Sequence, residues 1–285
     1  MNFNKEELKK EILELCGVVP TEKFDVKNAV RSRIDYLKAY LKKTGTKGFV
    51  LGISGGVDST ATGKLCQLAC EELRNEGYEA YFVAARLPAG IQKDEDEAML
   101  AIEFIKPDVL NVINVGPASQ AISIQGVDEY NRTNVKGLAL TPAGIDFNKG
   151  NIKARMRMLA QYQLAAFYGA LVIGTDHNSE FCTGFFTKGG DGQCDITVLN
   201  GLNKRQVRLV AKELGAPEKL YKKAPTADLE ELNPQKLDDE GFGFEYDKLD
   251  DFLEGKEVDD ETELKIIKQY EITRHKRDQI VGFKG

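Results

Sequence analysis

The sequence contains no apolar run that approaches the roughly 20 residues needed to cross a bilayer. Its first 16 residues mix acids and bases at helical spacing, without the apolar stretch of a signal peptide. Positive charge is not in excess either, because the formal net charge is -6 at pH 7. Since nucleic-acid binding normally needs a basic face, these absences predict a cytoplasmic protein with neither a membrane nor a nucleic acid as partner.

Cysteine and histidine are both scarce. No two of the five cysteines form a CxxC pair; they are Cys16, Cys66, Cys70, Cys182 and Cys194. This pattern predicts reduced thiols rather than disulfides or a zinc site. A cysteine nucleophile usually needs a histidine base, for which only His177 and His275 are available. Either could pair with a cysteine in space, but small buried cysteines are the interpretation we favour.

Apolar runs and helical stripes alternate along the chain. The runs predict strands over residues 47–53, 79–88, 108–116 and 170–175. The stripes predict helices over residues 28–43, 58–75, 94–105, 148–169 and 203–214. This alternation predicts an α/β fold, a doubly wound parallel sheet with helices on both faces.

A chain of 285 residues suits one large domain with appendages, or at most two domains. We predict a single domain over residues 1–285, with a helical N-terminal segment at 1–45 and a helical C-terminal extension at 262–285. Residues 228–261 are rich in acids and glycine and have little periodicity. They predict an exposed and partly mobile excursion.

The motif SGGVDS at residues 54–59 joins a predicted strand to a predicted helix. Two adjacent glycines let backbone N–H groups approach a phosphate, and the helix N-terminus adds positive partial charge. Ser54 and Ser59 could donate to phosphate oxygens, whereas Asp58 would repel them unless a cation such as Mg²⁺ lies between. A plain strand-to-helix turn would need neither the aspartate nor the serines, so the motif predicts a nucleotide polyphosphate with a metal.

Two other phosphate-binding motifs are absent. Gly63 and Lys64 resemble the end of a Walker motif, but Leu65 replaces the required hydroxyl residue. No GxGxxG follows a predicted strand, so the dinucleotide fingerprint of a Rossmann fold is missing.

The motif SGGVDS resembles the phosphate loop of the ATP pyrophosphatases, which adenylylate a substrate and release pyrophosphate. Further blocks extend the resemblance over nearly the whole chain to the ammonia-dependent NAD synthetases; they include RLPAGIQKDEDEA, KARMRM, TDHNSE, TGFFTKGGDGQCD and ITRHKR. The resemblance implies an adenine nucleotide alpha hydrolase-like fold and a homodimer. It also implies ATP- and Mg²⁺-dependent amidation of deamido-NAD by ammonia through an acyl-adenylate, without a covalent protein nucleophile. The products would be NAD, AMP and pyrophosphate, in the last step of NAD biosynthesis.

The resemblance assigns one group of residues to ATP: Gly52, Ile53, Ser54, Gly55, Gly56, Val57, Asp58, Ser59, Arg86, Gln92, Thr175, Lys204 and Thr226. Within this group, Lys204, Thr226 and Ser54 would stabilise the departing pyrophosphate. Asp58 and Glu180 would be the metal ligands; from the position of Glu180 alone, the less favoured alternative is an acid that stabilises a helix start.

The chain departs from the family pattern beside this metal position. Asn178 and Ser179 stand where small apolar residues are usual, which puts the shape of the loop in question. His177 is expected to have a structural role or to support the groups around it.

A second group is assigned to deamido-NAD: Phe147, Arg155, Lys188, Asp195, His275 and Lys276. Phe147 would stack on the pyridine ring, and His275 with Lys276 would serve a site shared between subunits. Arg155 is selected by the resemblance from three basic residues in KARMRM that cannot share one helical face. The loops at 188–195 and 225–239 are expected to be mobile without ligands and ordered by ATP with deamido-NAD.

The apolar stripe of residues 28–43 predicts part of the dimer interface, with packing on its own sheet as the alternative. Two rival functions also stay open. Another ATP pyrophosphatase, such as a tRNA-thiolating enzyme, is disfavoured by the acidic charge and the lack of CxxC pairs. A non-catalytic adenine-nucleotide-binding module would need the glycine-rich loop but not Glu180. The synthetase blocks leave no room for an amidase domain, so free ammonia is the expected nitrogen source, with an external glutaminase as the alternative.

Overall fold

The computed structural model describes residues 4–90, 94–133, 137, 139–224, 226–227, 232, 236–237 and 242–278. At 226–227 and 236–237 it describes the backbone alone. The predicted ATP contact Gln92 therefore lies outside the described residues, as does the side chain of Thr226. Most of the predicted loop at 225–239 lies outside them too.

Five parallel strands form the central sheet of the described chain. They are β1 (Gly48–Gly52), β2 (Tyr81–Arg86), β3 (Val109–Val112), β4 (Leu171–Gly174) and β5 (Ile196–Thr197), in the order β3-β2-β1-β4-β5. Each neighbouring pair is parallel; Val50 lies opposite Val83 in β2 and Val172 in β4. The four predicted strands are all present, although shorter. β5 escapes prediction because two residues carry no periodic pattern.

Helices connect and cover the strands. In chain order they are α1 (Lys5–Cys16), α2 (Val26–Thr44), α3 (Val57–Asn75), α4 (Glu95–Ile105), α5 (Gly116–Thr133), α6 (Pro142–Tyr168), α7 (Asn178–Thr183), α8 (Lys204–Glu213), α9 (Glu218–Tyr221), α10 (Tyr246–Leu253), α11 (Asp260–Ile272) and α12 (Arg274–Arg277). A 3-10 turn at Thr21–Lys23 precedes α2, and β6 (Thr226–Ala227) pairs antiparallel with β7 (Lys236–Leu237). Over the described residues, none of these helices is both long enough and apolar enough to cross a membrane.

Successive residues of the central strand face opposite helical layers. Phe49 and Leu51 of β1 lie in a core with α2, α3 and α8, whereas Val50 lies in a core with α6. All three side chains are buried, as expected for a parallel sheet that is covered on both faces. The prediction of a doubly wound sheet is confirmed.

The apolar stripe of α2 is buried inside this chain. Ile34, Leu37 and Leu41 are 4%, 0% and 0% exposed, and they pack in the same core as Phe49 of the sheet. Because these side chains already have partners, the prediction that the stripe forms a dimer interface is wrong. The alternative, packing on its own sheet, is the arrangement observed.

Helix α6 begins six residues before its predicted start at residue 148. Thr141 caps it by accepting a hydrogen bond from the Gly144 N–H at 3.1 Å, and Pro142 occupies the first helical position. The first two turns contain glycine and polar residues without an apolar stripe, so periodicity alone places the start too late.

A further apolar core joins the two ends of the chain. Leu249 and Phe252 of α10 are fully buried with Ile12 of α1 and Ile266 of α11. Residues 242–254 are therefore not part of an exposed excursion, and that prediction is wrong for them, whereas residues 255–261 are exposed apart from the half-buried Val258. The apolar side chains of residues 242–254 recur at helical spacing, but the many acids between them hide the pattern. The predicted helical segments at both ends of the chain are confirmed.

Candidate active site

The site lies where the direction of strand addition reverses. From β1 the chain proceeds to β2 on one side, whereas β4 lies against β1 on the other side and continues to β5. The carboxyl ends of β1 and β4 therefore open into one crevice, the usual ligand position in an open α/β sheet. The loop after β1 contains Ser54–Gly56, and the loop after β4 contains Thr175–His177.

The phosphate loop after β1 has a conformation that requires glycine. Gly55 has a φ of 86°, and a Cβ atom on it would lie 2.6 Å from the backbone nitrogen of Ala98. Ser54 Oγ accepts a hydrogen bond from the Gly56 N–H at 3.2 Å and lies 3.2 Å from Ser59 Oγ. Helix α3 starts with Gly56 as its cap and has no side-chain hydrogen bond there. An anion could therefore bind the N–H groups of its first turn.

The other predicted ATP contacts in this region lie in or directly beneath the phosphate loop. Gly52, Ile53 and Val57 form the backbone on either side of the loop, and the Gly52 N–H donates to Gln161 Oε1 at 2.7 Å. Arg86 is buried, and its guanidinium donates to the carbonyl of Ile53 at 2.6 Å. The structure thus places Arg86 beneath the loop, where it holds the backbone.

Four polar side chains converge beside the phosphate loop. Lys204 Nζ lies 2.8 Å from Asp58 Oδ2 and 3.9 Å from Glu180 Oε1. His177 Nε2 lies 3.6 Å from Asp58 Oδ1, 3.4 Å from Glu180 Oε2 and 3.3 Å from Lys204 Nζ. The Lys204 ammonium also lies 5.2 Å from the ring centroid of Tyr246. Residues from α3, α7, α8 and the β4 loop thus meet at one point.

The charges of this cluster are set by burial and by Lys204. Burial alone would raise the pKa of Asp58, but the Lys204 ammonium holds it below its ordinary value. Burial, together with the same ammonium, lowers the pKa of His177 to about 3. At neutral pH, Asp58 is therefore a carboxylate and the His177 imidazole is neutral.

The cluster fits a divalent cation that prefers oxygen ligands. Ligand atoms of Asp58, His177 and Glu180 all lie within 4.8 Å of one another. Asp58 Oδ1 is buried and accepts no hydrogen bond within the described part of the protein, so a lone pair is free for a metal. Because Mg²⁺ takes carboxylate oxygen rather than imidazole nitrogen, Asp58 and Glu180 are the suitable pair.

Two further acids near this cluster were missed by the sequence reasoning. Burial, with the negative charges of Asp191 and Asp58, raises the pKa of Asp176 to about 8. Burial also raises the pKa of Asp191, which accepts a hydrogen bond from the Thr187 N–H at 3.0 Å. Both lie in blocks that the resemblance included, but their proximity depends on the fold.

Asp250 is a third missed residue, and it orients Lys204. Its carboxylate accepts hydrogen bonds from the backbone N–H groups of Lys204 and Arg205, at 3.2 and 2.7 Å. The Ser179 hydroxyl donates a hydrogen bond to this carboxylate at 2.8 Å. Ser179, which stands where the family usually has a small apolar residue, thus has a hydrogen-bond partner in this chain. Burial raises the pKa of Asp250 to about 6. The residue lies in α10, within the segment that the sequence predicts to be an exposed and partly mobile excursion.

Four of the six predicted substrate residues lie together on one surface. Arg155 donates to the carbonyl of Lys188 at 3.2 Å, and Lys188 Nζ donates to the carbonyl of His275 at 2.9 Å. Lys276 Nζ donates at 2.7 Å to the carbonyls of Gly184 and of Phe186. The C-terminal segment thus contacts the glycine-rich loop.

The other two predicted substrate residues are held differently. Asp195 accepts a hydrogen bond from the Val172 N–H of β4 at 2.8 Å and one from the Tyr162 hydroxyl at 3.3 Å. Phe147 is 62% exposed and lies on α6, about two helical turns before Arg155.

All five cysteines are free, as predicted, and burial raises the pKa of Cys194 to about 11.

The start of α3 is open to an anion, and two carboxylates and a lysine lie beside it at the switch point of a parallel sheet. These features are typical of an α/β protein that binds a nucleotide polyphosphate. Comparison with known proteins narrows this class. The family model described as NAD synthase matches residues 29–281. The chain belongs to the NAD synthase family.

Individual relatives are similar over almost the full length. The NH(3)-dependent NAD(+) synthetase of Aliivibrio salmonicida (strain LFI1238) is 51% identical over 281 residues, covering 96% of this chain and 98% of the relative. The crystal structure of NAD+ synthetase from Burkholderia pseudomallei has a TM-score of 0.80 at 44% identity, covering 97% of this chain and 98% of that one. NMN synthetase from Francisella tularensis has a TM-score of 0.77 at 30% identity, covering 92% and 100%. The family and fold predicted from the sequence are confirmed.

Proposed function

We propose that the chain catalyses the ATP- and Mg²⁺-dependent amidation of deamido-NAD by ammonia, giving NAD, AMP and pyrophosphate. The ligase class and the NAD-forming reaction are those of the family and agree with the sequence prediction. The observation that supports the proposal within the structure is the convergence of Lys204, Asp58 and Glu180 beside the uncapped start of α3.

The reaction needs an activated carboxylate, because ammonia cannot expel oxide from a carboxylate. Attack of the nicotinate carboxylate on the α-phosphorus of ATP gives an acyl-adenylate and releases pyrophosphate, and ammonia then displaces AMP. The loop at residues 54–59 and the first turn of α3 would bind the phosphates, and Lys204 would neutralise the charge of the departing pyrophosphate. Thr226 and Gln92 stay predicted ATP contacts.

Asp58 and Glu180 are the residues that would hold Mg²⁺. When bound, the ion would neutralise phosphate charge and bring the triphosphate next to an aspartate that otherwise repels it. Lys204 lies near the same two carboxylates, so its ammonium would lie beside the bound phosphates.

The deamido-NAD site would lie along Arg155, Lys188, His275 and Lys276. The guanidinium of Arg155 and the ammonium groups of Lys188 and Lys276 lie near one another beside the glycine-rich loop, which would suit an anionic dinucleotide. Phe147 and Asp195 stay predicted contacts to the pyridine ring and to a ribose hydroxyl or the arriving ammonium.

We also propose that the chain forms a homodimer. Since the stripe of α2 is buried, the surface we assign to the second copy is that of α5 and α6. Besides Phe147, four large apolar side chains of these two helices are exposed: Ile122, Ile124, Leu159 and Phe167. Light scattering of the purified protein at micromolar concentration should report a dimer. The cytoplasmic location and the absence of membrane and nucleic-acid partners stay predictions.

One assay tests the reaction against its rivals. The purified protein is incubated with ATP, Mg²⁺, deamido-NAD and ammonium, and both NAD and pyrophosphate are measured. We expect equimolar products, and much slower formation with glutamine in place of ammonium. Nicotinate mononucleotide is the second acceptor to test, because one similar structure is an NMN synthetase. Pyrophosphate release without amidation would favour another ATP pyrophosphatase, and ATP binding without pyrophosphate release would favour a binding module.

A further inference from the structure

His177 is fully buried at the junction between the β4 loop and α7. Its ring caps α7, because Nδ1 accepts a hydrogen bond from the Glu180 N–H at 3.4 Å. The ring also packs edge-on against Tyr246, with 6.2 Å between the ring centroids. Both contacts fix the plane of the imidazole.

The cap determines which nitrogen carries the proton. A ring nitrogen that accepts a hydrogen bond has no proton of its own, so the neutral ring is protonated at Nε2. Nε2–H is therefore a donor and cannot be a metal ligand in this orientation. Lys204 Nζ, at 3.3 Å from Nε2, is a donor as well, so both groups are directed at the same acceptors.

Those acceptors are the two carboxylates of the candidate metal site. Nε2 lies 3.4 Å from Glu180 Oε2 and 3.6 Å from Asp58 Oδ1, slightly beyond a good hydrogen bond to either. A small rotation of either carboxylate would complete the bond. In the complex with ATP, the Lys204 ammonium would bind phosphate oxygens instead of the carboxylates. The Nε2–H of His177 would then remain as the donor that holds the carboxylates of Asp58 and Glu180 close to each other.

We propose that His177 is a positioning residue that orients Asp58 and Glu180 for the divalent cation without binding the cation itself. This inference rests on the proposed function, in which these two carboxylates hold the metal. Removing a hydrogen-bond partner of a metal-ligating carboxylate typically weakens metal binding by about 10–100-fold.

Two substitutions test the roles of the two ring nitrogens separately. In His177→Asn the amide oxygen replaces Nδ1 as the acceptor of the cap, but no group reaches the carboxylates. In His177→Gln the amide nitrogen replaces Nε2 as the donor, but the cap is lost. We expect about 10–100-fold weaker Mn²⁺ binding for the Asn variant, and affinity within about threefold of wild type for the Gln variant. Both variants lose the packing of the ring against Tyr246 and should have a lower Tm, and loss of the cap should lower the Tm of the Gln variant by about 2–4 °C more.

The measurement uses Mn²⁺ with a non-hydrolysable ATP analogue, and the free ion is counted by electron paramagnetic resonance. Unchanged affinity in the Asn variant, or equal losses in both variants, would overturn the positioning role. Electron spin-echo modulation of the bound Mn²⁺ should show no coordinated histidine nitrogen. A histidine nitrogen bound directly to Mn²⁺ would also overturn the positioning role. If the wild-type protein binds no Mn²⁺, or if Asp58→Asn binds it as tightly, the proposed metal site itself is wrong, and the positioning role fails with it.

Discussion

Lys204 Nζ forms an ion pair with Asp58 Oδ2 at 2.8 Å, although the two residues are 146 positions apart. The lysine begins α8, and the aspartate lies in the first turn of α3. Their contact is possible because Asp250 binds the backbone N–H of Lys204 and fixes the start of α8. The pair keeps a half-buried carboxylate charged beside the loop to which we assign the phosphates.

Replacing Lys204 by methionine should lower the rate of pyrophosphate release by about 100-fold or more, because the cation that neutralises the leaving group is removed. Steady-state kinetics with ATP and deamido-NAD would measure the change. Lys212→Met is the matched control, since Lys212 lies on the same helix but is exposed. A Lys204→Met variant within threefold of wild type would contradict the assigned role.

Asp58→Asn should abolish Mg²⁺-dependent turnover and leave the fold intact. The fold should survive because Lys204 keeps Glu180 as a neighbour at 3.9 Å. Activity across a Mg²⁺ titration and far-ultraviolet circular dichroism would test both parts. Asp35→Asn is the control, because Asp35 forms an exposed ion pair with Arg31 that contributes at most about 1 kcal/mol. Near-normal turnover of Asp58→Asn at ordinary Mg²⁺ would argue against metal binding here.

Much of this architecture follows from local sequence. The four longer strands are predicted because short apolar runs indicate buried strands, and α2, α3, α4, α6 and α8 are predicted because their apolar residues recur at helical spacing. Helix α5 is not predicted from the sequence. The phosphate loop is predicted because glycines, serines and an aspartate at the spacing of SGGVDS are typical of phosphate binding with a metal. Strand β5 is not predicted because it is too short to show a pattern.

Residues that act through long-range packing could not be predicted. Asp250 looks like one acid among many, yet burial against α8 gives it three hydrogen-bond donors. Asp176 and Asp191 interact only because the chain folds back over fifteen residues. His177 is expected from the sequence to support the site, and the structure shows that its two nitrogens face different groups: Nδ1 faces the Glu180 N–H, and Nε2 faces the carboxylates of Asp58 and Glu180.

Gly55→Ala should disrupt the phosphate loop, and Gly215→Ala is its matched control. Both glycines have nearly the same φ, 86° and 87°, but only the Cβ at position 55 would meet backbone, at 2.6 Å. The shared backbone strain should cost about 1–3 kcal/mol of unfolding free energy in each variant. The Gly55 variant should lose more than this and should also bind ATP more weakly. Urea unfolding and ATP titration would show this, and equal behaviour of the two variants would exclude the clash as the cause.

The pH dependence of stability should carry a contribution from Asp176. Burial and the neighbouring Asp191 and Asp58 charges raise its pKa from 3.8 to about 8 in the folded state. A raised carboxyl pKa stabilises the fold at low pH, and this contribution is lost as the pH rises from the unfolded toward the folded value. In metal-free buffer, Asp176→Asn should therefore raise Tm more at pH 8 than at pH 5. Asp247→Asn, at an exposed position of α10, should leave the slope unchanged. An unchanged slope in Asp176→Asn would contradict the shift.

The glycine-rich loop at residues 188–195 should become protected when substrates bind. An acyl-adenylate is hydrolysed if water reaches it, so the site must close before ammonia attacks. Gly189 supplies a residue with a φ of 71° and open space around it, and Lys188 Nζ bonds only a carbonyl of the C-terminal segment among the hydrogen bonds described for it. Amide hydrogen exchange should therefore slow in this loop with ATP, Mg²⁺ and deamido-NAD together, and less with ATP alone. The buried strand β1 serves as the internal control, since its exchange should not change. If the loop exchanges equally fast in all three states, closure of this loop is not what keeps water from the intermediate.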